Sequence, residues 1–202
     1  WRPPCQVPHW VRGREAAELT EYVGKPAGVS RPLVLTTLGG SSSTGAAGVE
    51  AGVVLVESLA RLEALAAEQV RGKIVVINSR FDQRLADQGR GGAAYSQSVS
   101  SRTRGPAMAS RKGAAACLVR SVGGADYRLP HTGVTSFGEV AALPCAAISS
   151  EDADRIAYLG GQGPVKLRLV LTPETLPDAP SCNIIGDLEG SDPQAEVVIV
   201  SG

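Results

Sequence analysis

The chain is short of the residues that most enzyme centres need. Only two histidines occur among its 202 residues, His9 and His131, and neither belongs to an H-E-x-x-H helix motif. A self-contained zinc site or Ser-His-Asp centre is therefore poorly supplied. No G-x-S-x-G pattern offers a nucleophile elbow. Leu38 to Gly48 (LGGSSSTGAAG) completes neither a P-loop nor a dinucleotide fingerprint, and reads as a flexible surface loop. The cysteines Cys5, Cys117, Cys145 and Cys182 form no C-x-x-C pair and have no neighbouring histidine, so zinc knuckles and redox motifs are absent. They read as small buried hydrophobes on strands, and pairing in an oxidising compartment stays open.

Excess charge is lacking as well. Lys+Arg 20 balances Asp+Glu 20, and neither sign forms a run, which disfavours nucleic acid and anionic membrane as partners. Gly, Ser or Arg interrupts each apolar run long before the roughly 20 residues needed to cross a bilayer. No initiating methionine or leader precedes Trp1, and both ends read as boundaries within a longer protein.

What is present is a series of short β-branched runs. Strands are expected at Leu33 to Thr37, Val53 to Val56, Lys73 to Asn78, Ala115 to Val122, Cys145 to Ile148, Val165 to Leu171, Cys182 to Leu188 and Glu196 to Val200. Most are continuously apolar, as strands buried on both faces are. Helices are expected over Ser58 to Val70, about Gly105 to Lys112 with Pro106 in the first turn, and between Ser149-Ser150 and Gly160-Gly161. The pattern predicts a mixed α/β (α+β) fold with sheets flanked by helices. Pro173 to Pro180 reads as a linker, and the strand pair after it turns at Gly190-Ser191-Asp192-Pro193.

Two segments stand out as candidate binding elements. Arg128-Leu129-Pro130-His131-Thr132-Gly133 is a loop bounded by proline and glycine, where His131 is free to face a ligand. Tyr95 to Gly105 (YSQSVSSRTRG) places Arg102 and Arg104 just before a helix, and a guanidinium there suits a substrate carboxylate. His9, between Pro8 and Trp10, reads as structural.

In order, these segments resemble a known family. V-P-H-W-x-R-G-R-E-x-A-E-L from Val7, R-G-K-I-V-V at Arg71 to Val76, Y-S at Tyr95-Ser96, R-T-x-G from Arg102, G-A-x-A-x-L-x-R-S at Gly113 to Ser121, P-H-T-G at Pro130 to Gly133 and the terminal V-V-I-V-S-G are similar to M28 zinc peptidases of the carboxypeptidase Q kind. The resemblance implies a protease-associated domain over residues 31–172. Residues 1–30 and 173–202 would be an N-terminal strand segment and the linker with first strands of an M28 catalytic domain. It further implies a zinc-dependent exopeptidase acting on short peptides or dipeptides, with two zinc ions whose ligands lie beyond Gly202. This chain alone would then hold no metal and no catalytic residue. The protease-associated domain would cover the substrate cleft, with Arg102, His131 and Tyr95 as substrate-binding residues. A peptide substrate and the rest of the catalytic domain are the implied partners; a homodimer is admitted, and the location would be secreted or periplasmic. Ser101 departs from the family, which has an aromatic residue before the R-T pair. The alternative reading is a non-catalytic protease-associated binding module.

Overall fold

The computed structural model describes residues 5–124, 127–182, 184–191 and 196–200. Two compact units are present: Trp10–Leu176, and a smaller one formed by the described parts of segments 1–9 and 177–202.

The larger unit is built on an eight-stranded mixed sheet with the order β3-β2-β9-β5-β6-β7-β8-β4. Its members are β2 (Glu15–Glu21), β3 (Pro32–Leu33), β4 (Leu35–Thr37), β5 (Val49–Val56), β6 (Ile74–Ile77), β7 (Ala116–Arg120), β8 (Cys145–Ile148) and β9 (Lys166–Leu171). β5 joins two halves. Its first residues pair antiparallel with β9 (Val49↔Leu169, Gly52↔Lys166), and its last pair parallel with β6 (Val53↔Ile74, Val56↔Ile77). The parallel ladder continues through β7 to β8, and β4 closes that edge antiparallel.

Continuous apolar runs become doubly covered strands, as the sequence predicts: every residue of β6, β7 and β8 is buried. Helices α1 (Leu59–Ala64), α2 (Ala67–Val70), α3 (Gln83–Leu85), α4 (Gly91–Arg111) and α5 (Ser150–Gly160) complete the unit. The single helix expected over Ser58 to Val70 is two, because Leu65 and Ala66 are extended; Ser58 caps the first by accepting from the Arg61 amide. α5 matches its expected limits, with Ser149 as N-cap and Glu151 and Asp152 in the first turn.

Three expectations need correction. The second helix starts at Gly91, not Gly105, so Pro106 lies in its interior and withholds the N–H that would reach the Arg102 carbonyl. A π-helical turn at Ala86–Arg90, with Gly89 at φ 77°, leads into it. The stretch read as a linker is strand β10 (Glu174–Ser181), which pairs with β1 (Cys5–Val11) in a separate two-stranded sheet. The strands expected at Cys182 to Leu188 and Glu196 to Val200 do not form among the described residues. Ile184, Leu188 and Val200 there are almost fully exposed, so no sheet partner covers them. Asn183 and the Asp192-Pro193 part of the expected turn lie outside the described residues. The compact unit Trp10–Leu176 also takes in β2, which lies between β3 and β9.

The loop at Leu38 to Gly48 is braced, not free. Ser41 Oγ accepts from the Cys145 amide at 2.8 Å, and Thr44 Oγ1 accepts from the Leu171 amide at 2.9 Å. Both bonds satisfy backbone groups at sheet ends that would otherwise be buried unpaired.

The buried parallel ladder carries the stability of the unit. Leu118→Ala, at a fully buried position of β7, is expected to cost about 2–5 kcal/mol through lost transfer energy and the cavity left behind, read by chemical denaturation.

Candidate functional site

Tyr95, Arg102 and His131, far apart in sequence, meet at one place. Tyr95 and Arg102 are seven residues apart on α4, two turns along one helix face. The loop between β7 and β8 brings His131 to them.

Arg102 is the centre. Its side chain is only 8% exposed, not the free loop guanidinium expected from sequence. Nη1 donates to the Thr132 carbonyl at 2.9 Å and to His131 Nδ1 at 2.8 Å, and Nη2 donates to the Tyr95 hydroxyl at 3.3 Å. Nε is buried with no partner among the described residues. Gly133 lies against the guanidinium: a Cβ there would fall 2.4 Å from Cζ and 2.6 Å from Nε. The P-H-T-G segment thus supplies a histidine acceptor, a carbonyl and a gap for the cation.

A guanidinium has only donors, so His131 Nδ1 must accept. The imidazole is then neutral, with its proton on Nε2. Its pKa is lowered from 6.5, first by partial burial and then by the Arg102 charge. The Tyr95 ring meets the imidazole edge-on, with centroids 5.7 Å apart at 81°.

The loop is held from several sides. The His131 amide donates to Ser121 Oγ at 2.9 Å, and that hydroxyl donates to the Leu129 carbonyl at 3.0 Å. The Gly39 amide donates to the Gly133 carbonyl at 2.9 Å, and Gly39 returns its carbonyl to the Thr135 amide. Arg128, at φ 49°, donates its amide to Glu151 and its guanidinium to Asp152, whose side chain is fully buried at the start of α5. His131 itself stays exposed. A fixed backbone thus presents an exposed imidazole, the arrangement that binding loops on rigid scaffolds use.

Sequence reading missed Arg12. Its Nη2 donates to Thr132 Oγ1 at 3.2 Å, its Nε donates to the Thr37 carbonyl, and its guanidinium stands 5.9 Å from the Trp10 ring centroid. Two guanidinium groups therefore converge on Thr132, one on its carbonyl and one on its hydroxyl. The signal was present in W-x-R from Trp10, but only the fold brings it beside P-H-T-G. Arg104 is exposed and outside the cluster, and His9 lies half-buried on β1.

What this arrangement can do is bind an anion. Arg102 is a buried cation whose three bonds all go to neutral acceptors, and among the described residues no carboxylate approaches it within 4.0 Å. A buried charge left in that state is costly and favours any carboxylate that can reach it. Among the described residues no three His, Cys, Asp or Glu side chains gather as metal ligands, so these residues do not fit a zinc site. No described helix is long and apolar enough to cross a membrane.

His131 should therefore titrate below its ordinary value. The unfolded imidazole titrates near 6.5 and the folded one lower, so its contribution to stability is full above 6.5 and is lost as pH falls through the folded value. In an NMR titration, Arg102→Met should move the His131 pKa upward; an unchanged value would show that the guanidinium does not act on the ring.

No protein-family model matches the chain. Carboxypeptidase Q of Homo sapiens is 34% identical over 202 residues, covering 98% of this chain and 39% of the human protein. Carboxypeptidase Q of Xenopus laevis is 35% identical over 201 residues with the same coverage. The chain thus spans about two fifths of the length of these relatives. Among solved structures, a peptidase M28 precursor from Shewanella amazonensis superposes with TM-score 0.75 at 35% identity, over 90% of this chain and 39% of that one. An aminopeptidase from Aneurinibacillus shares the fold at TM-score 0.53 and 14% identity, over 86% of this chain and 34% of that one. With the mixed helix-flanked sheet, these likenesses identify the chain as an M28-peptidase-related domain, homologous along nearly all its length to a part of carboxypeptidase Q.

Proposed function

We propose that residues 31–172 are the protease-associated domain of a secreted or periplasmic M28-type zinc exopeptidase, and that this domain offers Arg102, His131 and Tyr95 to the free carboxylate of a short peptide. The whole-length likeness to carboxypeptidase Q supports the peptidase part. The observation that carries the binding part is the buried Arg102 guanidinium, whose partners among the described residues are all neutral.

Each group has a distinct task in this reading. Arg102 supplies positive potential in a poorly hydrated place, where charge–charge attraction is strong. His131 offers the Nε2 proton that its contact with Arg102 leaves outward. The Tyr95 hydroxyl, 37% of the residue being exposed, gives a further polar edge. Arg12, exposed and bonded to Thr132, stands at the rim with its charge partly offset by Glu15 at 3.9 Å. The metal chemistry of peptide cleavage would be supplied by two zinc ions held in the catalytic domain.

A dipeptide and its C-terminal amide separate this reading from its rivals. Titrated into the chain, the dipeptide is expected to shift the His131 and Tyr95 NMR signals, and the amide to shift them far less. In the full-length gene product, Arg102→Lys should lower kcat/KM about 10- to 100-fold for the free dipeptide, the scale of one charged hydrogen bond, and much less for the amide. Equal response to acid and amide would overturn the carboxylate assignment.

A further inference from the structure

The four cysteines fall into two classes. Cys117 and Cys145 are fully buried partners in the β7–β8 register. Burial raises both thiols, Cys117 well above 9.0 with its neighbour adding to the rise, and Cys145 to about 12. They are inert core residues. Cys5 and Cys182 are exposed, and both belong to the smaller compact unit.

Cys5 opens β1, and Cys182 follows the last residue of β10, its partner strand. The Cys5 thiol donates to the Ser181 carbonyl at 3.5 Å. That oxygen belongs to the peptide group that leads directly into Cys182, and a trans peptide holds the next Cα about 2.8 Å from it. The Cα of Cys182 therefore lies within about 6 Å of the Cys5 sulfur, a separation that rotation of the two side chains can close.

We propose that Cys5 and Cys182 form a disulfide that staples β1 to β10 when the protein meets an oxidising compartment. The reaction is thiol–disulfide exchange with a small-molecule disulfide such as oxidised glutathione. One thiolate attacks the disulfide, forming a mixed disulfide and releasing a thiol. The second thiolate then attacks the protein sulfur of the mixed disulfide and expels the second thiol. Both cysteine protons go to solvent or to the released thiolates, and the two electrons reduce the glutathione disulfide. The bond closes nearly the whole chain into one covalent loop, a constraint that acts chiefly on the unfolded ensemble. It rests on geometry alone and does not depend on the peptide-binding reading.

The chain would be equilibrated in a reduced/oxidised glutathione buffer, alkylated under native conditions, digested without reduction and analysed by mass spectrometry. The expected product is one cross-linked peptide pair containing Cys5 and Cys182, lighter than the two thiol peptides by two hydrogens, with Cys117 and Cys145 alkylated only after denaturation. A faster-migrating band on a non-reducing gel should accompany it and disappear in both Cys5→Ser and Cys182→Ser. Recovery of Cys5 and Cys182 as alkylated thiols or as separate glutathione adducts would overturn the proposal, as would linkage of either to Cys117 or Cys145.

Discussion

Everything at the candidate site depends on one buried cation. Arg102 leaves a helix face where Ala94, Ser98, Ser101, Gly105 and Ala109 pack closely inward, and its guanidinium is then enclosed by Gly133 on one side and neutral acceptors around its edge. Burial of such a group is unfavourable unless its N–H groups are satisfied. The loop satisfies Nη1 with a carbonyl and an imidazole nitrogen, which in turn fixes the His131 tautomer, while Nε is left without a partner among the described residues. One charge therefore organises backbone, ring orientation and protonation state together.

The sheet supplies the rigid frame this requires. β7 and β8 are adjacent and parallel, so the chain must travel from the end of one to the start of the other, and among the described residues of 121–144 that passage contains no helix. A long connection of this kind is usually functional when it is well anchored. Here Ser121 at its start, Gly39 after β4, and Glu151 and Asp152 in the first turn of α5 anchor it. The core beneath is mainly apolar, with Thr37, Ser149 and Asp152 among its fully buried polar side chains.

Much of this was legible in the residues. β8 and α5 were readable nearly to the residue, because a continuous apolar run and a Ser cap with acidic first turn are local signals. Tyr95, Arg102 and His131 could be named as candidates, but not assembled, since nothing local says that a helix runs from Gly91. Its buried face is small and polar, with Ser98 and Ser101 in place of Leu or Val, so hydrophobic periodicity was silent. The i, i+7 relation of Tyr95 to Arg102 becomes visible only once that helix is known. β10 was hidden for a different reason: its prolines read as a linker, yet a two-stranded ribbon with exposed edges tolerates them. The Ile184 and Val197 segments failed oppositely, since strand-like sequence needs a neighbouring strand to become one, and none is present among the described residues.

Hydrogen exchange on Gly133→Ala addresses the central claim most directly. The added methyl must displace the guanidinium, which can swing away on its flexible stem, so the core should be untouched while the loop loses its anchor. Amides of His131 and Thr135 should exchange at least about tenfold faster, with those of β6 and β7 unchanged. Unaltered loop protection beside a displaced Arg102 would contradict the idea that this one cation holds the site together.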